Sequence, residues 1–543
     1  MNPWLQHLPS LPIVVPLAAG AAMLLVGESR RAPRMVLALV ATLVQLAAAI
    51  TLLCLTTDSV PGIWPEGIGV YAIGGWPAPF GIVLVVDRLS ALMITLNAAL
   101  ALPVLVYSFA RWDRLGVHYH ALLQFLLMGL NGAFLTGDLF NLFVFFEVLL
   151  AASYALLVHG GGTPRVKAAL HFIVVNLAAS FAFLIGVAMI YGAVGTLNMA
   201  DIADRWPALQ GGDRGIAEAG LAILGIAFLV KAGSWPLNFW LPAAYAAAGA
   251  PVAAVFSITT KVGVYAILRM ASLLEDPVAP FGGPWLFYGA IATMVFGIVG
   301  ILAARQLPRL IAFTVILSAG TLLAAIGLGA PGMIAPALFY LLGSVLATGA
   351  FFMLTGMTER MRTAVPETAD SAAAQPATYE AFSVGEPPDL HAADDEVGVA
   401  IPAALAFLGL AFVCCALLVT GLPPLAGFIA KLALLSATFD VLSVGGAHPR
   451  AWLLIGALLA GGLAGLIALS RIGMRLFWSV TGRTTPRLRI IEAGPVAFLV
   501  LLCIALTVAA GPTMTYLDSA ARTLREPQTY IRAVLPDARQ PVP

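Results

Sequence analysis

The sequence predicts an all-α polytopic membrane protein with about 14 transmembrane helices, and three observations support this fold class. Hydrophobic residues make up 61% of the 543 residues and charged residues only 10%, a balance that soluble domains of this length do not have. Apolar runs recur from residue 11 to residue 510 without an intervening globular stretch. Three of the four lysines lie inside these runs, whereas the chain has 24 arginines.

The spans follow from a length of about 20 apolar residues per bilayer crossing. In chain order they lie near 11–27, 35–54, 82–109, 119–136, 139–158, 166–192, 217–241, 251–273, 284–303, 308–328, 334–357, 400–439, 451–477 and 492–511. The first run lacks the basic start and cleavage site of a signal peptide, so we expect it to remain as a helix. Pro236 in the seventh span and Pro423–Pro424 in the twelfth predict broken helices, because proline removes a backbone donor.

Loop charges predict the orientation. Alternate loops starting at residues 28–34 hold 16 basic residues, whereas the opposite loops and the C-terminal tail hold eight. The positive-inside rule places the first set in the cytoplasm, so we expect a cell-membrane protein with both termini on the outer side. Residues 359–397 carry nine acids, two arginines and four prolines. This composition predicts a disordered cytoplasmic loop that is a passive insertion.

Four charged residues inside the spans are the candidates for proton transfer. Glu147 lies near the middle of the fifth span, and intramembrane carboxylates typically mark ion routes. Lys231, Lys261 and Lys431 lie in the seventh, eighth and twelfth spans. A buried lysine can release its proton, whereas arginine stays charged, so lysines at these depths indicate a proton path. The alternative is structural, with Glu147 in a static ion pair and the lysines bound to helix-break carbonyls or interhelical partners.

Ser257 and Tyr265 are secondary candidates because they stand four residues before and after Lys261 on one helical face. This stripe predicts a water file toward Lys231. Interhelical hydrogen bonding is the alternative for both hydroxyls.

Weaker candidates lie elsewhere in the chain. His171 follows Lys167 by four residues, and a histidine can relay protons near neutral pH, although a structural histidine fits equally well. Thr314 and Ser318 share a face of the tenth span and are predicted to hold water. We take two further pairs as membrane-interface or surface positions: Asp87 with Arg88, and His118 with His120.

The absence of several well-known motifs argues against several functional classes. The sequence has no phosphate loop, dinucleotide fingerprint, CxxC or HExxH motif, so we expect no ATP hydrolysis, no cofactor and no metal. The four cysteines lie in apolar runs without metal-ligand spacing. The net charge of +1, with no basic cluster, argues against nucleic-acid binding. The functional class that remains is a secondary transporter, driven by an ion gradient or by a partner protein.

Three segments resemble a known family: 131–160, 231–269 and 421–435, the last of which reads GLPPLAGFIAKLALL. They resemble the antiporter-like subunits shared by Mrp-type cation/proton antiporters and respiratory complex I, the Mrp type in particular. The resemblance covers roughly residues 80–480. It implies 14 helices with two inverted five-helix repeats. The corresponding regions are 1–110 (helices 1–3), 111–274 (first repeat), 275–480 (second repeat) and 481–543 (helix 14 and the tail).

The resemblance also implies roles. It assigns proton transfer to Glu147, Lys231, Lys261 and Lys431, within a multi-subunit complex that exports Na⁺ or K⁺ against proton entry and serves pH homeostasis. The partners would be other membrane subunits. Gly343 stands where we expect a histidine in many relatives, which puts a histidine relay on the eleventh span in doubt. The alternatives are a pump subunit of complex I or a membrane-bound hydrogenase, and a structural subunit without transport.

Overall fold

The computed structural model describes residues 6–27, 30–57, 64–274, 283–363, 402–444, 449–477 and 488–535. Within these ranges 14 helices have the length and hydropathy to cross a membrane, and a shorter apolar helix, Tyr119–Leu135, accompanies them. The chain is therefore a multi-pass, all-α membrane protein, as the sequence predicts.

The 19 helices of the described residues are, in chain order, α1 (Leu11–Leu25), α2 (Arg31–Leu55), α3 (Arg88–Ser108), α4 (Tyr119–Leu135), α5 (Leu139–Val158), α6 (Thr163–Val194), α7 (Met199–Arg205), α8 (Gly211–Ala232), α9 (Leu241–Ala247), α10 (Ala250–Leu273), α11 (Gly283–Ala303), α12 (Leu307–Leu328), α13 (Ile334–Thr363), α14 (Pro402–Thr420), α15 (Ala426–Val444), α16 (Pro449–Phe477), α17 (Ile490–Val508), α18 (Ala510–Leu524) and α19 (Pro527–Val534). Short 3₁₀ turns link several of them.

Two short strands form an antiparallel hairpin that the sequence did not predict. Strand β1 (Gly69–Ala72) pairs with β2 (Val83–Val86), with Gly69 opposite Val86. The predicted third span, 82–109, is therefore wrong at its start. Its apolar residues at 83–86 are β-branched or leucine, which suits a buried strand, and the helix begins only at Arg88, after the Asp87 cap.

The bundle has two distinguishable ends. We call one the basic end, because Arg165, Arg305 and Arg475 surround adjoining cavities there. The other is the hairpin end, where β2 forms a bridge with Thr136 beyond the end of α4. Loops that the charge pattern assigns to the cytoplasm thus meet at one end.

Both described chain ends lie at the hairpin end. His7 Nδ1 lies 3.2 Å from the Tyr71 hydroxyl of β1. Helices α18 and α19 return across the same end, where Thr523 accepts a hydrogen bond of 2.9 Å from Arg88. The loop charges predict both termini on one side, but the sequence did not predict these two helices.

The two spans that were predicted to break at prolines, the seventh and the twelfth, are interrupted in the structure. Helix α8 ends at Ala232, followed by Gly233 with φ +72°, and the chain resumes as α9. Helix α14 ends before Gly421, with φ +74°, and resumes as α15. Helix α8 approaches its break from the hairpin end and α14 approaches from the basic end. Inverted repeats require that the two broken helices run in opposite directions, as these two do. The repeat relation itself and its boundaries stay a prediction.

Helices α10 and α13 form the centre of the bundle, with 94% of each span buried, whereas 33% of the α14 span is buried. Groups on α10 and α13 are therefore shielded from lipid. Helix α13 extends to Thr363, so it includes the first residues of the predicted acidic loop. The rest of that prediction, from residue 364 to residue 397, lies outside the described residues.

Candidate functional site

Glu147 lies near the middle of α5, as the sequence predicts, and is half-buried. Its carboxylate accepts a hydrogen bond from the Ser180 hydroxyl of α6. Ser180 is itself held within 3.0 Å of the Asn176 carbonyl, one turn earlier. A serine hydroxyl carries one proton, so it stabilises the carboxylate without neutralising it.

Lys231 is the penultimate residue of α8, directly before the helix break. The ion pairs of the described residues, with a limit of 4.0 Å, do not include Lys231 with Glu147. The Glu147 charge still acts on the lysine through space. The Lys231 ammonium also lies 5.5 Å from the centre of the Phe146 ring, a cation–π distance. The static ion pair considered from the sequence is therefore not the arrangement here.

A cavity of about 30 Å³ adjoins Lys231, and we call it the Lys231 chamber. Roughly 10–15 Å³ of such space suffices for one water molecule, so the chamber has room for one or two. Its polar walls come from Ser153, Asn176 and Thr259, and its remaining walls are aromatic or aliphatic. Water in this chamber would have the two or more polar partners that buried water needs.

Lys261 is 1% exposed and lies on the central helix α10. Its Nζ donates to the Ser318 hydroxyl at 2.9 Å, and that hydroxyl donates to Ser344 on α13 at 3.1 Å. The ion pairs of the described residues include no carboxylate for Lys261. Thr314, the other predicted water-holding position, donates to the carbonyl of Ile311 in its own helix. Of that pair, Ser318 is the one that accepts a hydrogen bond from the lysine.

Ser257 and Tyr265, predicted to line a water file toward Lys231, both donate to backbone carbonyls, and the water file stays a prediction. Ser257 donates to the carbonyls of Ala254 and Val345, and Tyr265 donates to the carbonyl of Phe134 at 2.6 Å. Both hydroxyls therefore bond to the backbone and leave the wall of the Lys231 chamber to other α10 residues. The bonds of Ser257 to Val345 and of Tyr265 to Phe134 are interhelical, as the alternative describes.

Lys431 lies on α15, after the second break, and is half-buried. Its Nζ donates to the backbone carbonyl of Thr420 at 2.6 Å. Thr420 is the last residue of α14, so its carbonyl is one of the acceptors that a helix end leaves unpaired. Lys431 thus caps the end of α14 across the break, in the manner that the structural alternative described.

The other polar candidates take different places. His171 is exposed on α6, and its Nδ1 lies 2.9 Å from the Lys167 carbonyl, so it is placed away from the buried lysines. His120 was predicted at the surface but is buried, and it contacts Asp113 at 3.2 Å. Burial by itself would raise the pKa of Asp113, but hydrogen bonds from His120 and Arg31 hold that pKa below its ordinary value.

Asp87, predicted to mark the membrane interface, is also buried. It forms a two-pronged ion pair with Arg269 of α10, at 2.6 and 2.8 Å. Arg88 hydrogen-bonds Thr523, as described above. Polar residues at the end of a predicted span were read as solvent-facing, but α18 and α19 cover this end of the bundle.

Sequence reasoning missed the small polar residues that connect the charged ones. These are Ser153, Asn176, Ser180, Thr259 and Ser344. They lie in apolar helices, where Ser, Thr and Asn are also used for ordinary helix packing. One signal was available for Thr259, which lies two residues before Lys261, but the helical periodicity favoured positions four residues away.

Comparison with known proteins gives a consistent picture. A profile described as NADH:quinone oxidoreductase/Mrp antiporter, TM, matches residues 136–384. The chain is 50% identical over 545 residues to the D subunit of a probable K⁺/H⁺ antiporter of Rhizobium meliloti (strain 1021), covering 98% of each protein. It is 31% identical to the D subunit of an Na⁺/H⁺ antiporter of Alkalihalophilus pseudofirmus (strain ATCC BAA-2126 / JCM 17055 / OF4), covering 98% of this chain and 100% of that protein.

A solved structure shares the fold. A chain in the structure of the Mrp complex from Dietzia sp. DQ12-45-1b superposes with a TM-score of 0.80 at 24% identity, covering 98% of this chain and 100% of that chain. The likeness therefore extends over nearly the whole chain.

Proposed function

Because this chain belongs to the family of Mrp-type cation/proton antiporter D subunits, we propose that it translocates protons in a multi-subunit antiporter of the cell membrane. Its partners are other membrane subunits. The relative with 50% identity is named for K⁺ and the relative with 31% identity for Na⁺, so K⁺ is the first cation to test. The sequence similarity to antiporter subunits extends over the full length of the chain, which favours this function over that of a complex I pump subunit.

The observation that carries the proposal is the setting of Lys231. Its ammonium borders a chamber with room for water, it lies in the field of Glu147, and no ion pair among the described residues fixes it. A lysine held this way can exchange its proton with water, whereas a carboxylate in direct contact would favour the charged form and make release harder. We assign proton exchange between Lys231 and water to this chamber, with the Glu147 carboxylate supplying a nearby negative charge.

The route continues through the centre of the bundle. Lys261, with Ser318 and Ser344, forms the middle station, and Lys431 forms the station of the second half. Ser344 directly follows Gly343, the position where many relatives are expected to carry a histidine, so the serine pair lies next to that position and does not fill it. The basic end is the cytoplasmic end in this proposal, which the positive-inside rule supports.

The test is Glu147→Gln in everted vesicles that contain the complete complex, with Na⁺ and K⁺ measured separately. Glutamine keeps the shape and loses the titratable charge, so we expect K⁺- or Na⁺-coupled proton flux to be abolished. The matched control is Glu218→Gln, because Glu218 is exposed on α8 and pairs with Arg214 at the surface. Near-normal flux in Glu147→Gln, at equal amounts of assembled complex, would favour a structural subunit instead.

The cation does not need a site in this chain. Among the described residues no group of three or more His, Cys, Asp or Glu could hold a metal ion. We therefore propose that the purified chain alone, in liposomes, does not exchange Na⁺ or K⁺ for protons. Full coupled flux from the isolated chain would refute this part of the proposal.

A further inference from the structure

Two adjoining cavities open the basic end of the bundle toward its interior. One has a volume of about 370 Å³ and is lined by Arg305, Arg475 and Glu359. The second, about 90 Å³, is lined by Arg165, Tyr245 and again Glu359. Both volumes exceed the space of one water molecule several times, and charged groups line both. We call the two cavities together the vestibule.

The vestibule and the Lys231 chamber approach each other at two side chains. Tyr245, in the short helix α9 of the first break, lines the vestibule and is 1% exposed. Thr259, on α10, lines the Lys231 chamber. The Tyr245 hydroxyl and the Thr259 hydroxyl lie 2.8 Å apart. A direct hydroxyl–hydroxyl contact therefore joins a residue that lines the vestibule to a residue that lines the chamber.

These hydroxyls share one acceptor, which gives the pair two arrangements. The Phe256 carbonyl lies 2.7 Å from the Tyr245 hydroxyl and 2.9 Å from the Thr259 hydroxyl. If Tyr245 donates to the carbonyl, Thr259 can donate to Tyr245; if Thr259 donates to the carbonyl, Tyr245 can donate to Thr259. Each hydroxyl has one proton and two acceptor positions, so rotation of the two O–H bonds reverses the direction of the hydrogen bond.

We propose that Tyr245 and Thr259 form a proton bridge between the vestibule and the Lys231 chamber. The proposal rests on the function proposed above. In the step directed from the vestibule to the chamber, Thr259 turns its O–H from the Phe256 carbonyl to chamber water and releases that proton. Thr259 takes the proton of Tyr245 at the same time, and Tyr245 takes a proton from vestibule water. The chamber water delivers the released proton to Lys231 in its neutral amine form. One O–H bond forms and one breaks at each oxygen, and rotation of both hydroxyls restores the starting arrangement.

The position of the bridge gives the first helix break a purpose. A continuous α8 would carry its backbone straight on from Lys231, whereas the chain turns at Gly233 and resumes at Leu241. The turn sets Tyr245 against α10, where its ring also lies 5.4 Å from that of Phe256. The break therefore supplies both the lysine and the hydroxyl that leads to it.

The experiment compares hydroxyl-deleting and hydroxyl-keeping variants in the complete complex. Tyr245→Phe keeps the ring and loses the hydroxyl, Thr259→Val keeps the shape and loses the hydroxyl, and Thr259→Ser keeps the hydroxyl. We expect cation-coupled proton flux to fall about tenfold or more in Tyr245→Phe and Thr259→Val, the scale of a lost proton-transfer group. Thr259→Ser should stay within about twofold of wild type, since its proton-transfer group remains.

A packing role would give another pattern. Flux above half of the wild-type value in either hydroxyl-deleting variant would overturn the bridge, and so would equal losses in Thr259→Val and Thr259→Ser. Co-purification of the partner subunits measures the amount of assembled complex, and flux is compared at equal amounts. Glu147→Gln in the same vesicles separates the two proposals. If Glu147→Gln loses flux while Tyr245→Phe keeps normal flux, the proposed function stands and the proton bridge is refuted. A wild-type complex without coupled flux removes both.

Discussion

The two broken helices use the same backbone device for two different lysines. At each break a glycine takes the left-handed conformation, Gly233 with φ +72° and Gly421 with φ +74°. The residue after each glycine donates back five positions, Ser234 to the Leu229 carbonyl at 2.9 Å and Leu422 to a carbonyl at 3.0 Å. This is the usual way to end a helix without leaving its last carbonyls exposed.

The lysines differ in what holds the ammonium. Lys231 comes before its break and borders a chamber with room for water, whereas Lys431 comes after its break and donates 2.6 Å to Thr420. Lys431 must give up that bond before it can move, and Lys231 has no comparable bond among the described residues. A lysine near a helix break is thus ready for proton exchange only when the broken backbone does not take it as a cap.

The largest expected effect is that of Lys231→Arg. Arginine preserves the positive charge near Glu147 but does not release its proton in the physiological pH range. We expect normal assembly and nearly complete loss of proton flux across about pH 6–9. The measurement is coupled flux in everted vesicles, with Lys167→Arg near the start of α6 as the matched control. If the variant keeps more than half of the wild-type flux, Lys231 acts only through its charge. The proposed difference between the two breaks would then be wrong.

Replacing each of the two lysines by alanine should change the stability of the protein differently at the two breaks. Lys431→Ala leaves the Thr420 carbonyl without its donor, and an unsatisfied buried acceptor costs about 1–3 kcal/mol. Lys231→Ala removes a buried charge that has no hydrogen bond to lose among the described residues, so the midpoint of thermal unfolding should stay the same or rise. Thermal unfolding of the solubilised complex is the measurement. A larger loss for Lys231→Ala than for Lys431→Ala would show that the ammonium at 231 also has a structural duty.

Alanine at the two glycines sharpens the comparison further. Both substitutions place a side chain in the left-handed region, at a cost of about 1–2 kcal/mol. At Gly421 the new Cβ would collide with Cδ of Lys431, whereas at Gly233 it would meet Cδ1 of Leu241. We expect similar losses of stability but a lower transport rate, at equal assembly, for Gly421→Ala. Equal transport rates, measured in vesicles, would mean that the position of Lys431 does not limit flux.

The smallest effect should appear between the breaks, at Lys261. Ser318→Ala removes the acceptor of its ammonium, a hydrogen bond worth about 1.5–3 kcal/mol to a charged group, and we expect a severalfold lower flux. Thr314→Val, one turn away on α12, should leave flux unchanged because Thr314 bonds to the backbone of its own helix. Vesicle flux at matched assembly distinguishes the two. Unchanged flux in both variants would remove Ser318 from the route between the breaks.

The charged residues and the breaks were predictable because each carries a strong cost in a membrane. A lysine, a carboxylate or a proline in an apolar run needs a partner or a purpose, so Lys231, Lys261 and Glu147 stood out from the sequence. The span positions were predictable for the same reason, since apolar length is a direct requirement of the bilayer.

Uncharged polar residues could not be chosen in advance. Ser180 and Tyr245 are ordinary residues in apolar helices, and only the approach of another helix gives their hydroxyls a partner. The β2 strand was missed because Val83–Val86 is apolar and adjoins a helix, so hydropathy alone merges the two. Asp87 was misplaced because its partner, Arg269, lies far along the chain.

Tyr530 of α19 also covers the Asp87–Arg269 pair, with the Arg269 guanidinium 5.2 Å from the centre of its ring. Helix α10 enters the membrane long before α19 is synthesised, since chains are made from the N-terminus. Until then the two charges have an open face toward water at the hairpin end, where hydration lowers the penalty of inserting them. We therefore expect this ion pair to become fully buried only after α19 has been made and has docked, so the accessibility of Arg269 would report whether that helix is in place.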